Sequence, residues 1–132
     1  MRAVLGTGTR AILAKYGASS NLVAPDSAFN EALKSIPPVI KLRHLPAVEL
    51  MEYFHSLSDI VDIVAVAHYA TFEAAARRRL FRRDENDWPI LAAALLLNCP
   101  IWTEDTDFFG CGVPTWTSDR IEIYLDPTSP PL

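Results

Sequence analysis

The chain has 132 residues, of which 50% are hydrophobic and 10% aromatic, so it suits one domain with a buried core. Sixteen acidic against twelve basic residues give a net charge of -4, which excludes a globally basic nucleic-acid binder and leaves RNA contacts to a local patch. Two cysteines, Cys99 and Cys111, are too few for a disulfide framework, and the longest apolar run, Ile90 to Leu97, is too short to span a membrane. We therefore expect a soluble cytoplasmic protein with reduced thiols and no membrane partner.

The first part of the chain predicts two helices separated by a short strand. Arg2 to Tyr16 has the apolar spacing of a helix, and Leu22 to Ala24 is an apolar strand that ends before Pro25. Either Asp26 or Ser27 can cap a helix over Ala28 to Ser35.

The middle of the chain continues the alternation of helices and strands. A partly periodic helix from about Ala47 to Leu57 precedes a β-branched strand, Ile60 to Val66. The next helix runs from about His68 to Arg82, and Asp87 then opens a helix over Trp88 to Asn98. Strands separated by helices predict βαβ units and therefore a parallel sheet covered by helices.

Two further strands are predicted near the C-terminus. Pro100 to Thr103 has the apolar character of a buried strand, and Ile121 to Leu125 alternates like an edge strand. Residues 1–125 would form the domain, and Asp126 to Leu132, with three prolines, would be a loose tail.

One constellation in this half carries a family resemblance. An aspartate opens an Ile/Ala-rich helix, a short strand follows, and the strand leads into Thr-x-Asp-x-Asp-Phe. The positions that show this pattern are Asp87, Ile90, Ala92, Ala94, Thr103, Asp105, Asp107 and Phe108. The pattern resembles the C-terminal half of PIN domains, which are metal-dependent ribonucleases, and Gly112 to Tyr124 is similar to a bacterial branch related to the VapC-type toxins.

The resemblance implies a three-layer α/β/α fold with a parallel sheet. It covers most of the chain, but PIN domains normally begin with an apolar strand that ends in a catalytic Asp. Met1 to Gly6 looks like the continuation of the helix after that strand. We therefore expect the N-terminal strand and the first catalytic Asp to be missing.

The acidic residues of the pattern predict a site for a hard cation. Asp105, two residues beyond a strand, would lie at the carboxyl edge of the sheet, and Asp87 at a helix start can face the same crevice. Mg²⁺ or Mn²⁺ binds carboxylate oxygens and keeps waters, one of which can be activated for attack. Glu31 matches the place of the family's second acid and completes the expected metal site, with Asp107 as a further catalytic residue and Thr103 orienting the acids.

Each of these acids also has a simpler interpretation. Asp87 suits a helix cap, Glu31 suits a solvated helix face, and Asp105 and Asp107 suit a turn that ends in Gly110. The ordered combination is more specific than any member alone.

A run of arginines predicts a phosphate-binding surface. Its members are Arg77, Arg78, Arg79, Arg82 and Arg83. They can position RNA. Alternatively, they form a solvated face that pairs with Glu73, Asp84 and Glu85.

The leading functional hypothesis is a metal-dependent endoribonuclease of the PIN/VapC toxin type, in which activated water attacks the RNA phosphodiester and which the loss of the first acidic residue would impair. The main alternative is a catalytically inactive PIN-like module that binds RNA or a partner protein such as an antitoxin. A receiver domain would need an acidic pair after its first strand, which the sequence does not show. Helix residues including Ile90, Leu91 and Leu95 would lack the cover of the missing strand, which predicts either a protein that self-associates, for example as a homodimer, or a poorly stable one.

Overall fold

The computed structural model of the chain describes residues 12, 14–17, 20–31, 34, 48, 52, 55–56, 59–126 and 128. The chain divides into two compact units, Met1–Val66 and Ala67–Leu132. Residues 12 and 14–16 are helical, as are 48, 52, 55 and 56, in agreement with two predicted helices. Three expectations fall outside the described residues and stay predictions: the remainder of those helices, the loss of the first strand and most of the loose tail.

The first unit contains a parallel pair of strands. Strand β1 (Leu22–Pro25) pairs with β2 (Val61–Val64), and Leu22 lies opposite Val61. Both predicted strands are thus confirmed, and β2 is shorter than predicted because helix α1 (Val66–Tyr69) begins at the last residue of the predicted strand. Ala24 and Val61 are buried, as expected for apolar strand residues that cover a core.

A single carboxylate links the ends of these two strands. Asp26 Oδ1 accepts a hydrogen bond from the Ser27 amide at 2.8 Å, and Asp26 Oδ2 accepts one from the Val66 amide at 3.1 Å. Residues 26–31 are helical, so this helix begins two residues earlier than predicted. Asp26 therefore accepts hydrogen bonds where the chain leaves β1 and where it enters α1.

The second unit is built around two helices rich in alanine. After α1 (Val66–Tyr69) and a 3₁₀ turn, Ala70–Phe72, helix α2 spans Glu73–Arg79 and helix α3 spans Trp88–Leu97. The single helix predicted from His68 to Arg82 is therefore interrupted by the 3₁₀ turn and ends before Arg82.

Small side chains allow α2 and α3 to approach closely, which places their apolar residues in the core. Ala76 and Leu91 are fully buried. The expectation that Leu91 lies uncovered is wrong, since this core covers it, whereas Ile90 and Leu95 are partly exposed. Whether the protein forms a homodimer stays a prediction.

A second parallel pair of strands follows α3. Strand β3 (Ile101–Trp102) confirms the predicted buried strand and pairs with β4 (Thr115–Trp116), which the sequence analysis missed. Two residues are too few to show an alternating pattern. Helices and short parallel strands together give the α/β organisation that the sequence predicts.

The predicted edge strand Ile121 to Leu125 is wrong, because these residues form helix α4 (Ile121–Leu125). Alternation would place Ile121 and Ile123 on the same face, yet Ile121 is 4% exposed and Ile123 is 37% exposed. The Thr117 carbonyl accepts hydrogen bonds from the amides of Arg120 and Ile121, which turns the chain into a helix. Local hydrogen bonding thus overrides the apparent period of two.

Among the described residues, no helix is long and apolar enough to cross a membrane.

Candidate metal centre

Three aspartates of the second unit come together at the start of α3 and in the loop after β3. Asp87, Asp105 and Asp107 each offer a carboxylate oxygen, and these oxygens all lie within 4.8 Å of one another. We call these three residues the acidic cluster. All three were candidates from the sequence, with Asp87 and Asp105 expected as metal ligands and Asp107 as a further catalytic residue, and here Asp107 belongs to the same group of carboxylates.

Asp87 reaches the cluster from the junction of two helical elements. The 3₁₀ turn Glu85–Asp87 leads directly into α3, whose first turn accommodates Pro89. Asp87 occupies the N-cap position of α3, but its side chain makes no capping hydrogen bond. Helix capping therefore does not explain this carboxylate, and its side chain instead hydrogen-bonds with Asp105.

Local hydrogen bonds shape the loop that carries the other two acids. Thr103 Oγ1 accepts from the Asp105 amide at 2.9 Å, and Asp105 Oδ1 accepts from the Asp107 amide at 2.9 Å. The second bond caps the 3₁₀ turn Thr106–Phe108. The side chain of Phe108 is only 1% exposed, so its burial in the core anchors the end of this turn. Thr103 makes the kind of contact that its predicted orienting role requires.

The electrostatics of the cluster favour a cation. The pKa of Asp87 is raised from 3.8 to about 6, first by burial, then by the negative charges of Asp84 and Asp105, by the hydrogen bond with Asp105, and by the charge of Asp107. Ionising Asp87 is thus unfavourable while the acids face only one another. An all-carboxylate donor set fits the oxygen preference of Mg²⁺ and Mn²⁺, and a divalent charge would offset the repulsion.

Asp84 is a contributor that the sequence analysis considered only as an ion-pair partner for arginine. Its carboxylate Oδ1 accepts from the Asn86 amide at 3.0 Å and so begins the turn that presents Asp87. The Asp84-x-x-Asp87 spacing, with an Asn between, is a signal that a capped turn leads into the helix.

Three of the five arginines in the predicted RNA-binding run donate hydrogen bonds to other residues of the unit. Arg77 Nε donates to Glu73 Oε2 at 2.8 Å, in agreement with the alternative interpretation of this run. Arg83 Nη1 donates to the Thr106 carbonyl at 2.7 Å, and Arg79 Nη1 donates to the Cys111 carbonyl at 3.2 Å. The arginine run thus supports the structure of the loop that carries the acids.

Arg79 and Arg83 hold this loop at two points. The Thr106 carbonyl lies between Asp105 and Asp107 in sequence, so Arg83 fastens the turn itself. The contact at Cys111 is close to Gly112, which has φ +89°, and a Cβ atom there would lie 2.7 Å from Arg79 Nη1. A glycine therefore allows the close approach of the guanidinium.

The remaining predicted residues are exposed. Arg78 and Arg82 are both exposed, and Arg82 lies over the Phe81 ring at 5.3 Å, so their role in RNA binding stays a prediction. Glu31 is exposed in the helical residues 26–31 of the first unit, and its role as a metal ligand also stays a prediction.

Comparison with known proteins gives one family match. The family model described as the PIN domain matches residues 1–126, a span that includes the whole acidic cluster. No curated protein and no solved structure matches the chain.

Proposed function

The chain belongs to the PIN domain family, and on that premise we propose that it is an endoribonuclease that uses Mg²⁺ or Mn²⁺. Membership of this family indicates a nuclease-type function in general. The preference for RNA and the dependence on metal are the further steps of the proposal.

The observation that carries the proposal is the convergence of Asp87, Asp105 and Asp107. These three carboxylates have no lysine or arginine hydrogen-bonded to them in the described residues, and burial, followed by repulsion from neighbouring acids, raises the pKa of Asp87. Such an arrangement has a cost for folding, and binding a divalent cation recovers it. Oxygen donors of this kind hold Mg²⁺ or Mn²⁺ while leaving positions for solvent and a phosphate oxygen.

Each residue has a separate task in this proposal. Asp87, Asp105 and Asp107 would hold the cation, Thr103 fixes the backbone at Asp105, and Arg83 fixes it at Thr106. When bound, the cation supplies positive charge for the phosphodiester transition state and lowers the pKa of water. Precise placement matters because electrostatic stabilisation depends on charges that are already oriented.

Several finer assignments belong to the same proposal. The similarity of Gly112 to Tyr124 to a branch of bacterial PIN proteins supports a VapC-type toxin whose partner is an antitoxin protein. Exposed Arg78 and Arg82 are available to RNA phosphates, and exposed Glu31 stays a proposed metal ligand on the strength of its match to the family pattern. In this interpretation the substrate is single-stranded RNA.

The test is cleavage of a panel of labelled single-stranded RNAs with Mg²⁺, with Mn²⁺ and with EDTA. We expect cleavage with either cation, none with EDTA, and none in Asp105→Asn, since the amide keeps the shape but removes the charge. Asp62→Asn, at an exposed aspartate on β2, is the matched control and should cleave like the parent protein. A parent protein that binds RNA or a partner protein without cleaving any RNA would favour the inactive module instead.

A further inference from the structure

A pocket of about 340 Å³ lies in the second unit beside β4 and α4. Its lining combines aromatic, aliphatic, hydroxyl and guanidinium groups: Phe109, Thr115, Trp116, Thr117, Arg120 and Ile123. This volume falls within the range of small-ligand sites, and a mainly apolar wall with a few polar groups is their usual composition. None of these six residues belongs to the acidic cluster.

The pocket begins where the loop of the acidic cluster ends. Phe109 directly follows the 3₁₀ turn Thr106–Phe108, which carries Asp107, and its amide donates to the Thr106 carbonyl at 3.1 Å. The same carbonyl receives the Arg83 guanidinium. The short turn Thr106–Phe108, which Arg83 holds by a hydrogen bond, therefore connects the pocket wall to the proposed cation site.

The pocket has the chemistry of a surface for flat aromatic ligands. Phe109 is 40% exposed, although a phenyl group normally gains from burial. Trp116 packs against Tyr124 with ring centroids 5.9 Å apart and planes at 30°, which holds the indole in place. The buried indole N–H of Trp116 has no hydrogen-bond partner among the described residues.

The polar groups of the lining narrow the ligand class. Arg120 brings a positive charge, and Thr115 and Thr117 bring hydroxyl groups. A nucleotide offers a flat base for stacking on Phe109, ring-nitrogen or carbonyl acceptors for the threonine hydroxyl groups, and a phosphate for Arg120. Aromatic and arginine side chains together are the usual means of holding unstacked bases of single-stranded RNA.

We propose that this pocket binds one unstacked nucleobase of the RNA strand, next to the phosphodiester held at the acidic cluster. The inference rests on the proposed function, and it adds a subsite for the substrate. The pocket therefore contributes affinity through base stacking, whereas the acidic cluster carries the chemistry.

Binding is measured without cleavage, by titrating a fluorescein-labelled RNA tetranucleotide in EDTA and comparing it with the same oligonucleotide lacking one base. Phe109→Ala should weaken binding of the intact RNA by about tenfold, in line with the loss of one stacking contact. Leu97→Ala removes another exposed apolar side chain, 42% exposed and outside the pocket lining, and should leave affinity unchanged. Arg120→Lys keeps the charge and should weaken binding less than Arg120→Ala.

The indole N–H resonances of ¹⁵N-labelled protein give a second, direct measurement. RNA should shift the Trp116 resonance, which is identified by its loss in Trp116→Phe, because Trp116 lines the pocket. Equal affinity for the two oligonucleotides, together with normal cleavage, would overturn the pocket while leaving the proposed nuclease intact. The opposite outcome is a protein that never cleaves RNA but binds the intact oligonucleotide more tightly and needs Phe109 to do so. That result would overturn the nuclease and support the pocket as an RNA-binding site.

Discussion

Replacing Asp87 with asparagine should stabilise the metal-free protein at neutral pH. In the folded chain the pKa of Asp87 rises from 3.8 to about 6, with burial as the largest cause and neighbouring acids adding to it. A raised folded-state pKa means that this carboxyl supports folding below the unfolded pKa and loses that support as the pH rises through about 6. The asparagine side chain would remain neutral at every pH and could donate a hydrogen bond to Asp105.

The size of the effect follows from the shift and the exposure of the side chain. At about 1.4 kcal/mol per pKa unit, the rise corresponds to an upper limit of about 3 kcal/mol. Asp87 is only partly buried, so solvent screening reduces the expected gain to about 1 kcal/mol. For a chain of this length, that gain raises Tm by about 4 °C.

Thermal unfolding in EDTA, followed by circular dichroism, tests this prediction. The rise in Tm on Asp87→Asn should be present at about pH 8 and nearly absent at about pH 4. Saturating Mn²⁺ should reverse the order at the higher pH, because only the parent site gains the full binding energy of the cation. Asp62→Asn is the matched control and should change Tm equally at both pH values. A metal-free Asp87→Asn protein that is less stable than the parent at about pH 8 would show that this carboxylate supports the fold, and the reasoning would fail.

Three further predictions concern the loop and the arginine run. Arg83→Ala should weaken Mn²⁺ affinity, measured by calorimetry, by about tenfold. The variant loses one charge-assisted hydrogen bond to the Thr106 carbonyl, and this bond holds the turn between Asp105 and Asp107 in place. Equal affinities in Arg83→Ala and Arg78→Ala would contradict this role. Gly112→Ala should lower the free energy of unfolding by about 1–3 kcal/mol, since φ is +89° and the new Cβ meets the Arg79 guanidinium, and unchanged urea denaturation would refute the close approach. The double variant Arg78→Ala, Arg82→Ala should weaken RNA binding across sequences and reduce the slope of log affinity against log salt by about one per lost phosphate contact, whereas an unchanged slope would leave these arginines a structural role.

Features that depend on neighbours in sequence are predictable from the residues alone. The β-branched and apolar runs at β1, β2 and β3 predict strands because their side chains favour a pleated, buried surface. The start of α3 at Trp88 is also local, since Pro89 in the first turn favours the beginning of a helix. The spacing of Asp105 and Asp107 likewise predicts a capped turn after β3.

Local patterns misled where two interpretations share the same residues. Ile121 to Leu125 alternates as a strand does, but the Thr117 carbonyl captures the amides at the start of this segment and closes it into α4. The arginine run looks the same in sequence whether its guanidinium groups face RNA or a loop. Only tertiary contacts show that Arg79 and Arg83 donate to backbone carbonyls.

The sequence by itself determined which acids were available and that Asp105 and Asp107 would share a turn, because a few neighbouring residues set that geometry. The tertiary structure decided that Asp87 joins them, since packing of α3 in the second unit brings its first residues to the loop after β3. It also decided the charge state of Asp87, because burial and through-space repulsion depend on residues distant in sequence. The sequence does not state how close the aspartates lie or how far they are removed from water. Those two properties are what make Asp87, Asp105 and Asp107 a candidate metal centre.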